Sequence, residues 1–409
     1  MDFPRAAIAI AIVFIAYLSL QFFLLIRVRE ILLRRAKGAG IRKVISAAVA
    51  GFFGLMLLPP LWLRFFVPYF AAPRSSAGQV LVILFSVWGV GSTGAALILL
   101  GDALWRTIMS LFRAEVTPVD IQRRKFLKRS VGVAAAAPFL VSGYGTVLAR
   151  RRFQVEEFPL RIDGLSSALT NFSIVHLTDI HVGPFMKAEE LADHVEAANR
   201  LKPDLIALTG DFIASRRDEV APCVETLARL KARHGIFACL GNHDHFGGAK
   251  AELIRQFRQH GVRVLENEAV SIRVGNTTLN ILGIDDLLRG TPDLAEALTG
   301  AAQHPGEARI LLSHRPEIFP TAAASGIEAV LGGHYHGGQI KLSPDPDALS
   351  IARFITPYAD GLFYLSRRRQ EATAAKGSVL FVSRGIGITA LPIRINCPPQ
   401  IAHLILKKS

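Results

Sequence analysis

The chain has 409 residues, 51% of them hydrophobic and 20% charged, which excludes a disordered protein and leaves room for two or three folded units. The formal net charge is +14, but its distribution excludes a simple nucleic-acid binder. Residues 1–150 hold 18 Lys and Arg against 5 Asp and Glu, and the remaining 259 hold 29 against 28. The excess therefore lies between long apolar runs, where it reads as membrane topology, not as a basic groove on a folded surface. All twelve His and all three Cys come after residue 150, and all three Trp precede it. A membrane module is joined to a different, His-bearing module.

In chain order, residues 1–120 read as a transmembrane region. A helix needs roughly 20 apolar residues to cross a bilayer. Ala6–Ile26, Val44–Leu63 and Gln79–Gly101 meet that length. Residues 121–152 form a basic loop followed by an apolar segment, Val131–Ala149, expected as a fourth crossing. Arg123-Arg124-Lys125-Phe126-Leu127-Lys128 just before it resembles the twin-arginine export signal, although such signals normally open a chain and Arg150-Arg151-Arg152 comes after the apolar stretch. An ordinary basic cytoplasmic loop is the equal alternative. The three loops carry seven, two and seven Lys and Arg (27–43, 64–78 and 106–129). Basic loops stay cytoplasmic. Four crossings therefore put the chain beyond residue 150 on the extracytoplasmic face of a plasma or inner membrane, and three crossings keep it inside.

Residues 153–409 change to short apolar strands alternating with helical stretches, an α/β pattern. Strands are expected over 172–178, 204–209, 236–240, 309–313, 327–331, 379–383 and 401–406. Helices are expected over 187–200, 219–234 and 249–260, and a hairpin over 270–274 and 278–282 around Gly275-Asn276. Cys223, Cys239 and Cys397 have no metal spacing and an odd count, and read as buried free thiols.

Five of these strands end in chemistry. The successive endings are Asp179-Ile180-His181, Gly210-Asp211, Gly241-Asn242-His243-Asp244, His314 and Gly333-His334-Tyr335-His336-Gly337-Gly338-Gln339. In open α/β sheets, sites form beyond the carboxyl ends of strands, so residues spread from 179 to 336 are expected to converge. Carboxylate, imidazole and amide oxygen without thiolate suit zinc, manganese or iron. Seven ligands with one shared carboxylate suit two divalent ions, and two ions roughly 4 Å apart can clamp a phosphoryl group.

This ordered set resembles the calcineurin-like metallophosphoesterase family, over about 172–409. Leu391-Pro-Ile-Arg-Ile-Asn-Cys-Pro-Pro399 and Gly337-Gly338-Gln339 resemble one membrane-associated bacterial subgroup. That subgroup includes a twin-arginine-exported phosphodiesterase and relatives acting on UDP-diacylglucosamine in lipid A synthesis. The resemblance implies a β-sandwich flanked by helices, with a dimetal site at its edge. It implies that Asp179, His181 and His336 hold the first metal, that Asn242, His314 and His334 hold the second, and that Asp211 bridges. It implies a non-ligand catalytic role for His243, oriented by Asp244, and direct attack of a metal-bound hydroxide on phosphorus.

The remaining residues carry less. His245 reads as a partly exposed loop residue, and His176 as buried and hydrogen-bonded. Arg315 and Arg384 read as surface-paired, with phosphate contact as the alternative. Arg367-Arg368-Arg369 is expected to face solvent or lipid headgroups.

The leading functional reading is a membrane-anchored dimetal phosphodiesterase whose substrate is a lipid-linked or envelope phosphodiester, with membrane lipid and no nucleic acid among its partners. Three others stand beside it. One is a cytoplasm-facing pyrophosphatase of the UDP-diacylglucosamine type. Another is a transporter or sensor with a regulatory appendage, disfavoured because the apolar runs lack ionisable residues at mid-depth. The last is a catalytically dead binding module, disfavoured by the complete ligand set.

Overall fold

The computed structural model describes residues 3–34, 36–66, 75–112, 121–301, 307–365 and 377–409. Arg367, Arg368 and Arg369, expected at solvent or headgroups, lie outside the described residues. The chain divides into two compact units, one built from the N-terminal helices and the other running from Leu148 onward.

The first unit holds α1 (Phe3–Leu33), α2 (Ala39–Phe66), α3 (Ser76–Leu111) and α4 (Ile121–Val147). Among the described residues, four stretches are long and apolar enough to cross a membrane: Ala11–Leu33, Ala39–Leu57, Ser76–Leu111 and Lys125–Arg151. The fourth apolar segment is therefore of crossing length, and its helix already includes the Arg123–Lys128 run that the sequence assigned to a loop. Large apolar side chains such as Val80, Leu84 and Leu140 stay exposed on these helices, as lipid-facing residues do. Inside the unit, packing is close and specific. Leu24, Val49, Phe53 and Ala96 form a small core. Trp88 stands edge-on to Phe52 and Phe53, with centroids 4.8 and 5.3 Å away. Gln21 Nε2 donates to Ser92 Oγ at 2.8 Å, joining α1 to α3. A polar pair of this kind satisfies groups that hydrocarbon cannot.

The second unit is a two-sheet sandwich with helices on its outer faces. In chain order it holds β1 (Gln154–Ile162), β2 (Ser173–Leu177), α5 (Ala188–Arg200), β3 (Leu205–Thr209), α6 (Val220–Leu227), β4 (Ile236–Cys239), α7 (Lys250–Gln259) and β5 (Val262–Val264). Next come β6 (Glu268–Val274), β7 (Thr277–Gly283), α8 (Leu294–Thr299), β8 (Ala308–Leu312), α9 (Phe319–Ala324), β9 (Ala329–Gly332), β10 (Gly361–Leu365), β11 (Ser378–Val382) and β12 (Gln400–Lys408). One sheet runs β1-β12-β2-β3-β4-β5 and the other β10-β11-β9-β8-β7-β6. Ile174, Leu205, Ile281, Ile310, Phe381 and Leu404 belong to the core shared by the two sheets. Such positions, at 0% exposure, each contribute roughly 1.5–3 kcal/mol by burial. Separate cores include Leu191, Val195, Val224 and Phe257 of α5, α6 and α7 on the first sheet, and Phe319 and Ala322 of α9 on the second.

The strands end as the site requires. β2, β3 and β4 are neighbouring and parallel, and so are β8 and β9 in the other sheet. Parallel neighbours deliver their carboxyl ends to one edge.

Three departures from the sequence reading have local causes. The helix expected over 219–234 stops at Leu227, because Asn199 captures the backbone just beyond it. Asn199 Nδ2 donates to Arg229 O at 2.8 Å, and its Oδ1 accepts from Lys231 N at 2.7 Å. β1 escaped notice because, although its burial alternates from Val155 onward, the inward positions are apolar only at Phe158, Leu160 and Ile162, with Glu156 taking the first. β5 and β10 are short edge strands with weak patterns.

Candidate metal centre

Asp179 and His181 stand after β2, Asp211 after β3, Asn242 to Asp244 after β4, His314 after β8, and His334 and His336 after β9. All meet at one edge of the sandwich. Five of them, Asp179, His181, Asp211, His334 and His336, have positive φ between 50° and 73°. Non-glycine residues rarely take this left-handed backbone, and a cluster of them marks a site the surrounding fold over-determines. The strained turns are fixed by backbone bonds: Asp179 N donates to Gly210 O at 3.0 Å, and His181 N to Asp211 O at 2.9 Å. Two motif glycines are there for space. A Cβ on Gly241 would lie 2.3 Å from Asp211 Oδ1, and one on Gly333 would lie 2.2 Å from Asp179 Oδ2.

Two clusters of ligand atoms result. In one, His336 Nε2 lies 3.2 Å from Asp179 Oδ1 and 3.1 Å from His181 Nε2, which is 3.5 Å from Asp211 Oδ2. In the other, His314 Nε2 lies 3.2 Å from Asp211 Oδ2 and 3.2 Å from His334 Nδ1. Asp179, His181 and His336 converge within reach of one ion, and so do Asp211, His314 and His334. Asp211 belongs to both neighbourhoods. Buried lone pairs that face one another, with carboxylates between them, are the donor chemistry a cation satisfies. The residues therefore fit two divalent ions.

Burial and close charges set the protonation of these groups. Burial, with His243 next in weight, holds the His181 imidazole well below its ordinary value, and burial with His314 does the same to His334. Burial would also lower His314, but Asp211 beside it outweighs burial and raises it to about 10. Burial alone would raise the Asp211 carboxyl, yet its histidine neighbours bring it well below the usual carboxylate range.

The expected role of Asp244 needs correction. Its carboxylate does not orient His243. It accepts from three backbone amides: Gly241 N at 2.8 Å, Asp211 N at 2.9 Å and Phe212 N at 2.8 Å. Fully buried, it ties the β3 and β4 turns together, and is a positioning residue rather than a catalytic one. His243 is oriented by backbone instead. Its Nδ1 makes a short hydrogen bond to the Ala214 carbonyl, and its amide donates to Asp211 Oδ1 at 2.8 Å. A carbonyl only accepts, so Nδ1 carries the hydrogen and Nε2 is the free atom. His243 also falls within ligand reach of His181 and Asp211.

Arg315 is not surface-paired as expected. Its side chain is 13% exposed, and its Nε donates to the buried Asp286 at 2.9 Å. Arg384, also expected at the surface, is buried at 7% exposure and pairs with Glu156 at 2.6 Å. His245 pairs with Asp285 at 2.9 Å. His176 is buried, with Nε2 2.7 Å from Thr209 Oγ1. All three cysteines are buried and free.

One supporting residue was missed. Arg394, fully buried, donates to the carbonyls of Arg384 (2.9 Å), Gly385 (3.1 Å) and Cys397 (3.1 Å), and its Nη2 lies 3.4 Å from His336 Nδ1. Cys397 Sγ donates to His336 O at 3.2 Å. The 391–399 run thus braces His336 from behind. A lone Arg between Ile393 and Ile395 was the available signal. Gln339 explains the end of the Gly-Gly-Gln extension: its Oε1 accepts from Thr389 N at 2.9 Å, and its Nε2 donates to Thr389 O at 3.0 Å.

Residues 172–338 match the calcineurin-like phosphoesterase family. The metallophosphoesterase YkuE of Bacillus subtilis is 28% identical over 296 residues, which is 71% of this chain and 99% of that protein. A transmembrane protein with metallophosphoesterase domain from Danio rerio is 28% identical over 294 residues, 69% of this chain and 63% of that protein. Among solved structures, a dimetal phosphatase from Danio rerio aligns with a TM-score of 0.32 at 11% identity, covering 53% of this chain and 88% of that one. The chain carries a calcineurin-like metallophosphoesterase domain, with four helices of membrane-crossing character before it. A domain of this family implies a metal-dependent phosphoester hydrolase.

Proposed function

We propose that the protein is a membrane-anchored phosphodiesterase with two divalent ions, acting on a lipid-borne or envelope phosphodiester from the extracytoplasmic face. The observation that carries this is the convergence of Asp179, His181, Asp211, His314, His334 and His336, from four strand ends of two sheets, into two groups that could each hold an ion and that adjoin at Asp211. Asp179, His181 and His336 would hold one ion, and Asn242, His314 and His334 the other. Manganese, zinc and iron all suit the donors. Bound there, the ions would supply Lewis-acid activation of water and neutralise charge on the phosphoryl group.

The chain's own residues do the rest. His243, with its imidazole 4.6 Å from that of His181, presents Nε2 toward the site; in the imidazolium form, with Nδ1–H still on the Ala214 carbonyl, Nε2–H can be given to a phosphoryl or leaving-group oxygen. Asp244 and Arg394 keep the ligand-bearing turns in place. The face is supported by the loop charges: basic loops after the first and third helices stay cytoplasmic, and a fourth crossing then carries residue 150 outside.

The test uses the full chain in nanodiscs with manganese or zinc and a generic aryl phosphodiester. Turnover is expected with at least one metal, and none with any divalent metal sinks the reading. Asn242→Ala should lose most activity together with one ion. His243→Ala should lower turnover roughly 10²–10⁴-fold, as loss of a general acid does, while metal content stays near two per chain. A reporter active only outside the cytoplasm, fused after Ser409, should give signal; signal only from its cytoplasmic counterpart overturns the assigned face.

A further inference from the structure

Arg315 makes three directed contacts with one guanidinium. Nε donates to Asp286 Oδ2 at 2.9 Å, Nη1 to His334 Nε2 at 2.8 Å, and Nη2 to Asn242 Oδ1 at 3.1 Å. Asp286 is itself fixed, its Oδ1 accepting from Leu288 N at 3.1 Å and Arg289 N at 2.8 Å. One anchored cation therefore bonds two of the residues assigned to the second ion.

That arrangement is incompatible with a loaded site. His334 faces His314 and Asp211 through Nδ1, so Nδ1 is the atom that would bind an ion. A neutral imidazole has a single N–H. With the Nδ1 lone pair on a cation, that hydrogen sits on Nε2, pointing at the Nη1 hydrogens of Arg315. Two donors then face each other with no acceptor between them, which is costly where the pair is largely shielded from water. Asn242 Oδ1, with two lone pairs, could serve an ion and Nη2 together, so the conflict lies at His334, and a guanidinium that turns away from His334 about its Nε anchor takes Nη2 with it.

We propose that Arg315 is a stand-in for the second cation that becomes the substrate's phosphate clamp. Without that ion, the guanidinium bridges Asn242 and His334 and neutralises the ligand cluster. With the ion bound, Nη1 and Nη2 are released while Nε stays on Asp286. The freed edge of the guanidinium then binds the non-bridging oxygens of a phosphate ester, the two-pronged geometry Arg suits and Lys does not. This rests on the dimetal reading above. It gives Arg315 two effects of opposite sign: it opposes entry of the second ion and favours binding of phosphate.

The test compares the full chain in nanodiscs with Arg315→Met and Arg315→Lys. Manganese binding to metal-stripped protein is measured by calorimetry, and inorganic phosphate affinity is measured on the loaded protein. Arg315→Met should bind the second ion about tenfold more tightly, because a competitor is gone. Its phosphate affinity should fall about 10–100-fold, the size of a charge-assisted hydrogen-bond pair. Arg315→Lys keeps the charge near Asp286 and should recover only part of the phosphate affinity. Weaker manganese binding in Arg315→Met would show that the arginine supports the ligands, and overturns the proposal. Unchanged phosphate affinity overturns it as well. Wild-type protein that takes up fewer than two ions overturns the dimetal reading itself, before any variant is compared.

Discussion

Asp244 shows how much a single side chain contributes here without touching any ligand atom. Three buried amides on two turns depend on its carboxylate. Each buried donor left without a partner costs about 1–3 kcal/mol. Asp244→Ala should therefore destabilise the fold by on the order of 3 kcal/mol or more, lower the unfolding midpoint, and reduce bound metal. Asp244→Asn, which keeps one acceptor oxygen, should cost less. A stable, fully loaded Asp244→Ala protein would refute the positioning role. His314 gives a second prediction at this scale. Asp211 raises it to about 10, so near neutral pH the metal-free imidazole holds an extra proton that a bound ion must displace. Apparent metal affinity should then rise with pH by about tenfold per unit from neutral toward the His314 value, if this proton dominates. Calorimetry in buffers of different ionisation enthalpy would report the released proton directly, and pH-independent affinity would contradict it.

At the scale of elements, prediction and legibility meet in the glycines of α3. A Cβ on Gly91 would fall 2.5 Å from Phe139 Cδ1 and 3.0 Å from Phe139 Cα, while one on Gly101 meets nothing within 4 Å. Gly91→Val should force α3 and α4 apart and cost about 1–3 kcal/mol, as overpacking does. Gly101→Ala should cost nothing. Thermal stability of both variants in one detergent would check the contrast. The sequence showed that α3 and α4 exist, through their apolar length, but not that small residues join them, because packing partners are invisible to hydropathy. The same holds in the second unit. β2, β3, β4, β8 and β9 were legible because each is a short apolar run ending in a ligand. β1 was not legible, since its outer residues are exposed and its pairing with β12 spans the whole unit. That Asp179, His181, Asp211, His314, His334 and His336 converge could be read, because their types and order carry the chemistry. The contacts of Arg315 with Asn242 and His334, of Arg394 with His336, and of Asp244 with Asp211 and Phe212 could not, since each joins segments far apart in sequence.

For the molecule as a whole, the apolar helices and the metal-ligating domain are encoded in separate stretches, so their chemistry is separable even though one chain carries both. The domain's first sheet is less separable in time. β12 lies between β1 and β2, pairing in parallel with Gln154–Ile162 and antiparallel with β2. While residues 400–408 are still on the ribosome, β1 has no strand partner and β2 keeps an open edge. A nascent chain in that state shows unpaired strand edges, the feature that makes folding intermediates prone to aggregate. The apolar helices precede it in synthesis, so the domain waits for its closing strand while the chain is already tethered. Chaperone dependence during biosynthesis, rather than low stability of the finished protein, is what this strand order implies.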